Sequence, residues 1–295
     1  MKTKPKISIA DIETFADDPD LERMVGIYNE HGCLIVRGLM SLYVNDLHRD
    51  IGTIAQESIV QLDEAVEIVE GWRTPNGTLF IPTPEGSPRD KQIMVLGIHY
   101  NNSEAFEASS RDPKVIEIVT AVLGSNFEIF GSGQSLYKEA NGGHPKLLHQ
   151  DSAYFQHRHE GPVGILSYVV DTDLINGALY VVPGSHKLGQ LRHIDTFSHL
   201  GLDPEEWTWE DALPIIGKAG DSIFFHVQTI HGSKQNFSDK PRPIFINRYR
   251  RKGDETIIGG TTVANRAKLE LRHAESQQKA NYPITVCLLK ILSVL

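Results

Sequence analysis

The stretch "HQDSAYFQH", His149 to His157, sets an imidazole and a carboxylate two residues apart. Residues i and i+2 of a β-strand point to the same face. A strand through "LLHQDS" would therefore aim His149 and Asp151 at a common centre and turn Gln150 away. An imidazole nitrogen beside a carboxylate oxygen suits iron(II), manganese or zinc. One strand supplies only two ligands, so a third must come from elsewhere. His231, in "FFHVQTIHGSKQNFSDKPR" at the exit of the most hydrophobic strand, is the strongest candidate. Two histidines and one carboxylate on one face of an octahedron leave the opposite face open, the design of non-haem iron(II) oxygenases.

His-X-Asp with a distant His says little alone in a chain of 13 histidines. Arg242 sharpens it, standing 242 − 231 = 11 positions beyond the distal histidine. A guanidinium is a rigid fork that binds carboxylates through two parallel hydrogen bonds. Placed on the next strand, it can hold the far carboxylate of 2-oxoglutarate while the keto-acid end chelates the metal. Ser233, two residues past His231, can share its orientation and donate a hydroxyl to the same carboxylate.

Other residues compete for the role. His157 and His159 are also two apart, but Glu160 is adjacent to His159 and would point the wrong way on a strand, so partly exposed loop histidines or a substrate contact are expected. His144, before Pro145, reads as a solvated turn residue. His186 in "PGSHK" reads as structural hydrogen bonding in a tight bend. His226 is five residues before His231, on the opposite face of a regular strand, and reads as packed or at a rim. In "NRYRRK", Arg248 and Arg250 share a face; they either anchor an anionic substrate, such as a carboxylate or a CoA phosphate, or form a solvated, salt-bridged strand end.

The positioning elements are legible in part. "DPDLERMVGIYNEHG" predicts a helix that opens on acids and stops at Gly32. Tyr43, Leu47, Ile51 and Ile54 recur at helical spacing. "DPKVIEIVTAVLG" carries Asp112 as N-cap, Pro113 at the first helical position and Gly124 past the end, with an apolar stripe at 115, 118, 119 and 122. From there "FEIFGSGQSLYK", "VGILSYVV", "ALYVVPGS", "DSIFFHV" and "PIFINRYR" are short runs rich in β-branched and aromatic residues, separated by turn signals. Such a series predicts an antiparallel sandwich or barrel. Residues 74–90 and 187–212 read as long loops of the kind that form lids. Tyr154, Phe155, Trp207 and Trp209 are apolar residues that could meet a substrate or simply pack.

Residues 134–250 resemble the phytanoyl-CoA dioxygenase family of iron(II)/2-oxoglutarate oxygenases. The resemblance rests on "HQDSAYF", "NGALYVVPGSHK", "GDSIFFHVQTIHGSKQN" and Arg242. It implies a mainly β protein with a double-stranded β-helix (jelly-roll, cupin-like) core, iron on His149, Asp151 and His231, and 2-oxoglutarate on Arg242. By position it adds Gln134 and Ser167 to the cosubstrate pocket, although the phytanoyl enzyme carries a bulky aromatic where Ser167 stands. It implies hydroxylation, or another oxidation, of an unactivated C–H bond by O2, with succinate and CO2 as coproducts. Retention of Asp151 favours that outcome over halogenation, since related halogenases replace this carboxylate with a small residue. A zinc hydrolase using the same three side chains would have no need of Arg242. A non-catalytic jelly-roll binding protein would have no need of a full ligand set.

Composition narrows the partners. Lys plus Arg number 29 against 38 Asp plus Glu, a formal net charge of -9, which repels a polyphosphate backbone. The two cysteines, Cys33 and Cys287, lack metal-ligand spacing and imply no disulfide framework, which fits a cytoplasmic protein. The N-terminus holds no run resembling a signal peptide, and the apolar "PITVCLLKILSVL" is too short to span a bilayer. That tail either docks on the chain or makes a subunit contact, which leaves a homo-oligomer open. One domain is expected: a helical part about 1–125, a catalytic β core about 126–252, and a C-terminal helix near 264–280 with its tail in 253–295.

Overall fold

Caps and apolar stripes place three helices where the spacing predicts them, and a fourth, over 104–110, was not expected. In this computed structural model α1 spans Leu21–His31, α2 Val44–Val60, α3 Glu104–Ser110 and α4 Pro113–Leu123. The described residues are 7–68, 71–84, 92–159, 161–196 and 199–259. The Asp20 carboxylate accepts from Arg23 N–H at the start of α1, and Gly32 closes it in the left-handed region at φ 68°. Asp112 accepts from the backbone N–H groups of Lys114 and Val115 at the start of α4. No side-chain cap starts α2. It is held instead by burial of Leu47, Ile51 and Ala55, and a fully buried leucine or isoleucine contributes roughly 1.5–3 kcal/mol against about 1 kcal/mol for a cap.

Eight strands build the barrel. Gly133–Leu136, Val163–Tyr168, Ser222–His226 and Ile244–Arg251 belong to a large sheet; Lys146–His149, Leu179–Val181, Leu213–Ile215 and His231–Ser233 form a small one. Every pairing among these eight strands is antiparallel. The chain repeatedly crosses between the sheets, which is the winding of a double-stranded β-helix. All five predicted β runs are strands here.

The N-terminal part is not purely helical. Strand Cys33–Arg37 pairs with Ser222–His226, Glu13–Phe15 adds in parallel outside it, and Val66–Ile68, Gly71–Arg73, Leu79–Pro82 and Ile93–Ile98 extend the other edge. The Leu79–Pro82 strand also lies inside the predicted 74–90 loop, because "LFIP" supplies an apolar edge for the 93–98 strand. The described residues of 187–212 are mostly irregular, with two short strands and two 3-10 turns among them. The helix predicted near 264–280, the apolar tail, Cys287 and residues 85–91 lie outside the described residues.

Helices cover one face of the large sheet. α1 and α4 bury Met24, Ile27, Val115, Ile118 and Val119 with Leu34, Val36, Ile165 and Phe224. α2 and α3 bury Leu47, Ile51 and Phe106 with Ile93, Leu96, Ile98 and Phe245. The opposite face of the large sheet looks across the barrel at the small one. Among the described residues no helix is long and apolar enough to cross a membrane.

Candidate active site

His149 ends one strand of the small sheet, His231 begins its neighbour, and the two are register partners. Their rings lie 4.3 Å apart. Asp151 departs from the expected i, i+2 placement. The strand stops at His149, Gln150 stays extended, and Asp151 opens a 3-10 turn. The Ser152 N–H donates to the Val227 carbonyl at 3.0 Å, which draws the chain off its ladder. His231 likewise does not sit on the hydrophobic strand 222–226; a turn intervenes and carries it into the other sheet.

The three side chains converge all the same. Asp151 Oδ1 is 3.7 Å from Nε2 of both His149 and His231, and the donor atoms lie within 4.8 Å of one another on buried residues. Each imidazole is oriented by its other nitrogen: His149 Nδ1 donates to Leu147 O at 2.7 Å and His231 Nδ1 to Thr229 O at 2.9 Å. Both Nε2 lone pairs therefore face Asp151. Burial pushes both imidazoles below their ordinary pKa, keeping them neutral, as ligation requires. This donor set fits a divalent metal with open positions.

The turn before His231 is clamped from two sides. Thr229 Oγ1 donates to Gly32 O at 2.6 Å and Ile230 N–H to Ser185 Oγ at 2.8 Å. A Cβ on Gly32 would lie 2.6 Å from Thr229 Oγ1, so the end of α1 can dock there only as glycine. Gln150, facing away from the metal side, is fully buried and fully used. Its amide donates to Gly189 O at 2.9 Å and Gln228 O at 2.8 Å and accepts from Leu191 N–H at 2.8 Å; its own N–H donates to His193 Nε2 at 2.9 Å. Gln150 thus pins the 187–193 loop to the ligand strand. The sequence places it between His149 and Asp151 and turned away from them, but carries no sign of its partners.

Arg242 lies just before the 244–251 strand rather than on it, bridged to Lys138. Its guanidinium is buried and donates to Gly177 O at 2.6 Å. Gly177 stands two residues before Leu179, the register partner of Ser233, so Arg242 and Ser233 lie at the same end of the small sheet. Burial lowers Arg242 to about 10, still cationic at neutral pH. Buried Lys138 stands beside it and is pushed well down by burial and by the Arg242 and Lys146 charges. Among the described residues neither side chain has a carboxylate partner, and the buried Arg242 cation asks for an anion.

The large sheet supplies the opposite wall. Arg248 is paired with Gly164, Gly164 with Phe225, and the Phe225 ring lies 4.6 Å from that of His231. Arg248 Nη2 is 3.7 Å from Asp151 Oδ2 and donates to Gln134 Oε1 at 3.0 Å. Phe155 lies under its guanidinium at 5.2 Å, and the Tyr154 ring is 6.0 Å from that of His149. Gln134, Tyr154, Phe155 and Arg248 thus gather about the triad. Ser167 does not join them: it is paired with Phe245, on the helix-covered face, and its hydroxyl shares a 2.8 Å hydrogen bond with Ser222. Strand parity turns it away from the barrel interior.

The rival histidines are structural. His157 is buried rather than partly exposed, 3.4 Å from Asp254, while His159 is exposed; they make no metal pair. His144 is half-buried, not solvated, and burial takes it down to about 4. His186 bonds Asn29 O at 3.1 Å, as its bend role requires, and His226 packs near Tyr28. Arg250 is paired with Glu128 at 2.7 Å, the bland reading of that strand end. Trp209 stacks edge-on to Tyr180 at 5.1 Å, and Trp207 packs in the same small cluster. His199, near His149 at 5.5 Å, escaped notice because the loop alone brings it there.

A barrel with two imidazoles and a carboxylate on its inner wall defines the class to which comparison gives a name. The chain belongs to the phytanoyl-CoA dioxygenase (PhyH) family, whose model matches residues 28–244. It is 28% identical over 169 residues to phytanoyl-CoA dioxygenase domain-containing protein 1 of Mus musculus, covering 54% of this chain and 57% of that protein. It is 24% identical over 204 residues to a probable alpha-ketoglutarate-dependent hypophosphite dioxygenase of Stutzerimonas stutzeri, covering 62% and 68%. Its fold is shared with EctD from S. alaskensis, solved with 2-oxoglutarate and 5-hydroxyectoine, at TM-score 0.60 and 18% identity over 86% of this chain and 84% of that one.

Proposed function

We propose that this chain is an iron(II)- and 2-oxoglutarate-dependent dioxygenase that hydroxylates, or otherwise oxidises, an unactivated C–H bond of a small organic or acyl substrate, releasing succinate and CO2. The observation that carries the reading is the triad: two neutral, pre-oriented imidazoles and a carboxylate on one wall, with donor atoms within 4.8 Å of one another. Bound iron would supply the dioxygen chemistry that couples decarboxylation of 2-oxoglutarate to substrate oxidation.

The chain's own residues bind and orient. His149, Asp151 and His231 would hold the metal, their rings fixed through Leu147 O and Thr229 O. Arg242, helped by Ser233, would take the far carboxylate of the cosubstrate, exchanging some backbone contact for a charge-assisted pair. Gln134 supports the reading by steadying Arg248 beside the metal side of the pocket. A zinc hydrolase gives no role to the buried Arg242 cation, which has no carboxylate partner among the described residues. Asp151→Ala should lower 2-oxoglutarate-dependent succinate formation by more than roughly a hundredfold while leaving the circular dichroism spectrum unchanged. Unimpaired succinate formation in that variant would refute the assignment.

A further inference from the structure

Arg248 has more hydrogen-bonding capacity than its surroundings use. A guanidinium carries five N–H donors. Within the described residues its one hydrogen bond goes to the neutral amide oxygen of Gln134 at 3.0 Å, and its buried Nε has no acceptor. Asp151 Oδ2, at 3.7 Å, is beyond hydrogen-bond range. The side chain is only 13% exposed, so water cannot satisfy it freely. The other arginine of the pair shows the contrast: Arg250, two residues on, meets Glu128 through both Nε and Nη2, at 2.8 Å and 2.7 Å. Arg248 stands six residues beyond Arg242, on the strand that Arg242 only precedes.

We propose that Arg248 is the anchor for an oxyanion of the primary substrate, making the substrate class an organic acid, carboxylate or phosphonate, rather than a neutral scaffold. The proposal rests on the oxygenase reading above. Phe155 backs the guanidinium at 5.2 Å and Gln134 holds one edge, so the fork is oriented before the anion arrives. Asp151 Oδ2 faces the same guanidinium; with a metal on Oδ1, the anchored anion would sit next to the open coordination positions. The hydrogen to be removed would then lie on a carbon close to the acid group.

Calorimetry on the Mn(II)-loaded protein, a redox-silent form saturated with 2-oxoglutarate, tests this without turnover. The probes are acetate, butyrate, hexanoate, benzoate and hexylphosphonate, each acid against its neutral amide or ester. At least one acid should bind roughly tenfold or more tighter than its neutral counterpart, and Arg248→Met should erase that difference. In the same variant the Kd for 2-oxoglutarate and for Mn(II) should each move less than threefold, whereas Arg242→Met should weaken 2-oxoglutarate alone. Acids and neutral partners binding alike, or no acid binding at all, would overturn the proposal. So would an Arg248→Met loss that falls on 2-oxoglutarate, which would make Arg248 a cosubstrate residue, or on Mn(II), which would make it a support for Asp151. Wild-type protein that binds no 2-oxoglutarate would instead undo the oxygenase reading, so the two failures are told apart.

Discussion

His149 and His231 reach their common centre because the Nδ1 group of each is already engaged by the carbonyl two residues before it. That is a tautomer choice, and it is fixed by short-range geometry. His149 and Asp151 could be picked out as candidates from the spacing "HQD", although Asp151 reaches the cluster from a 3-10 turn and not from the expected strand. Gln150 could not, because its partners Gly189, Leu191 and Gln228 come from two distant loops. Its amide is the strongest test at this scale. Gln150→Leu strands two half-buried carbonyls and an N–H, each worth up to about 1–3 kcal/mol, so denaturant unfolding should show a loss of roughly 3 kcal/mol and metal titration a weaker site. A variant as stable as the parent would mean the 187–193 loop is held by other contacts. Ser167 failed as a pocket residue for the converse reason: its face is set by register with Phe245, and register is a long-range property.

Elements with their own punctuation were legible, and those without were not. α4 begins at Pro113 and ends at Leu123 as its Asp-Pro and Gly signals require. The edge strands between 66 and 82 carry no such signals; they exist because the 93–98 strand offers an unpaired edge. At the ligand strands the decisive element feature is Gly232. A Cβ there would lie 2.7 Å from Lys146 O and 3.0 Å from Leu148 N, at the irregularity that lets His231 face His149. Both contacts are backbone and cannot swing aside. Gly232→Val should therefore separate the two ligand strands, lowering the thermal midpoint and weakening metal binding at least tenfold, about the size of a lost supporting contact. Unchanged metal affinity would show that the strands tolerate separation.

The whole molecule depends on pairings that no local pattern announces. Cys33–Arg37 meets Ser222–His226 across most of the chain, and this union docks the end of α1 against the turn that presents His231. His226 lies in that junction, with Nδ1 accepting the Gln228 N–H at 3.1 Å. Burial takes it from 6.5 to about 4. The unfolded chain therefore binds this proton more readily between those values, so its contribution is present above pH 6.5 and lost as pH falls toward 4. Unfolding free energy should drop across that window, by about 3 kcal/mol from this residue, and His226→Gln should flatten the decline. An equally steep decline in the variant would assign the acid sensitivity to other groups.

The measurement that bears most directly on the central claim is an anaerobic titration of the metal-free protein with Fe(II) and 2-oxoglutarate, followed by calorimetry and visible absorption. One Fe(II) should bind per chain, and 2-oxoglutarate should bind tightly only once the metal is present, with new visible absorption from the chelate. Both events should vanish in Asp151→Ala, and the second alone should weaken in Arg242→Met. Fe(II) binding with no dependence on His149, Asp151 or His231, or 2-oxoglutarate indifferent to the metal, would contradict the account.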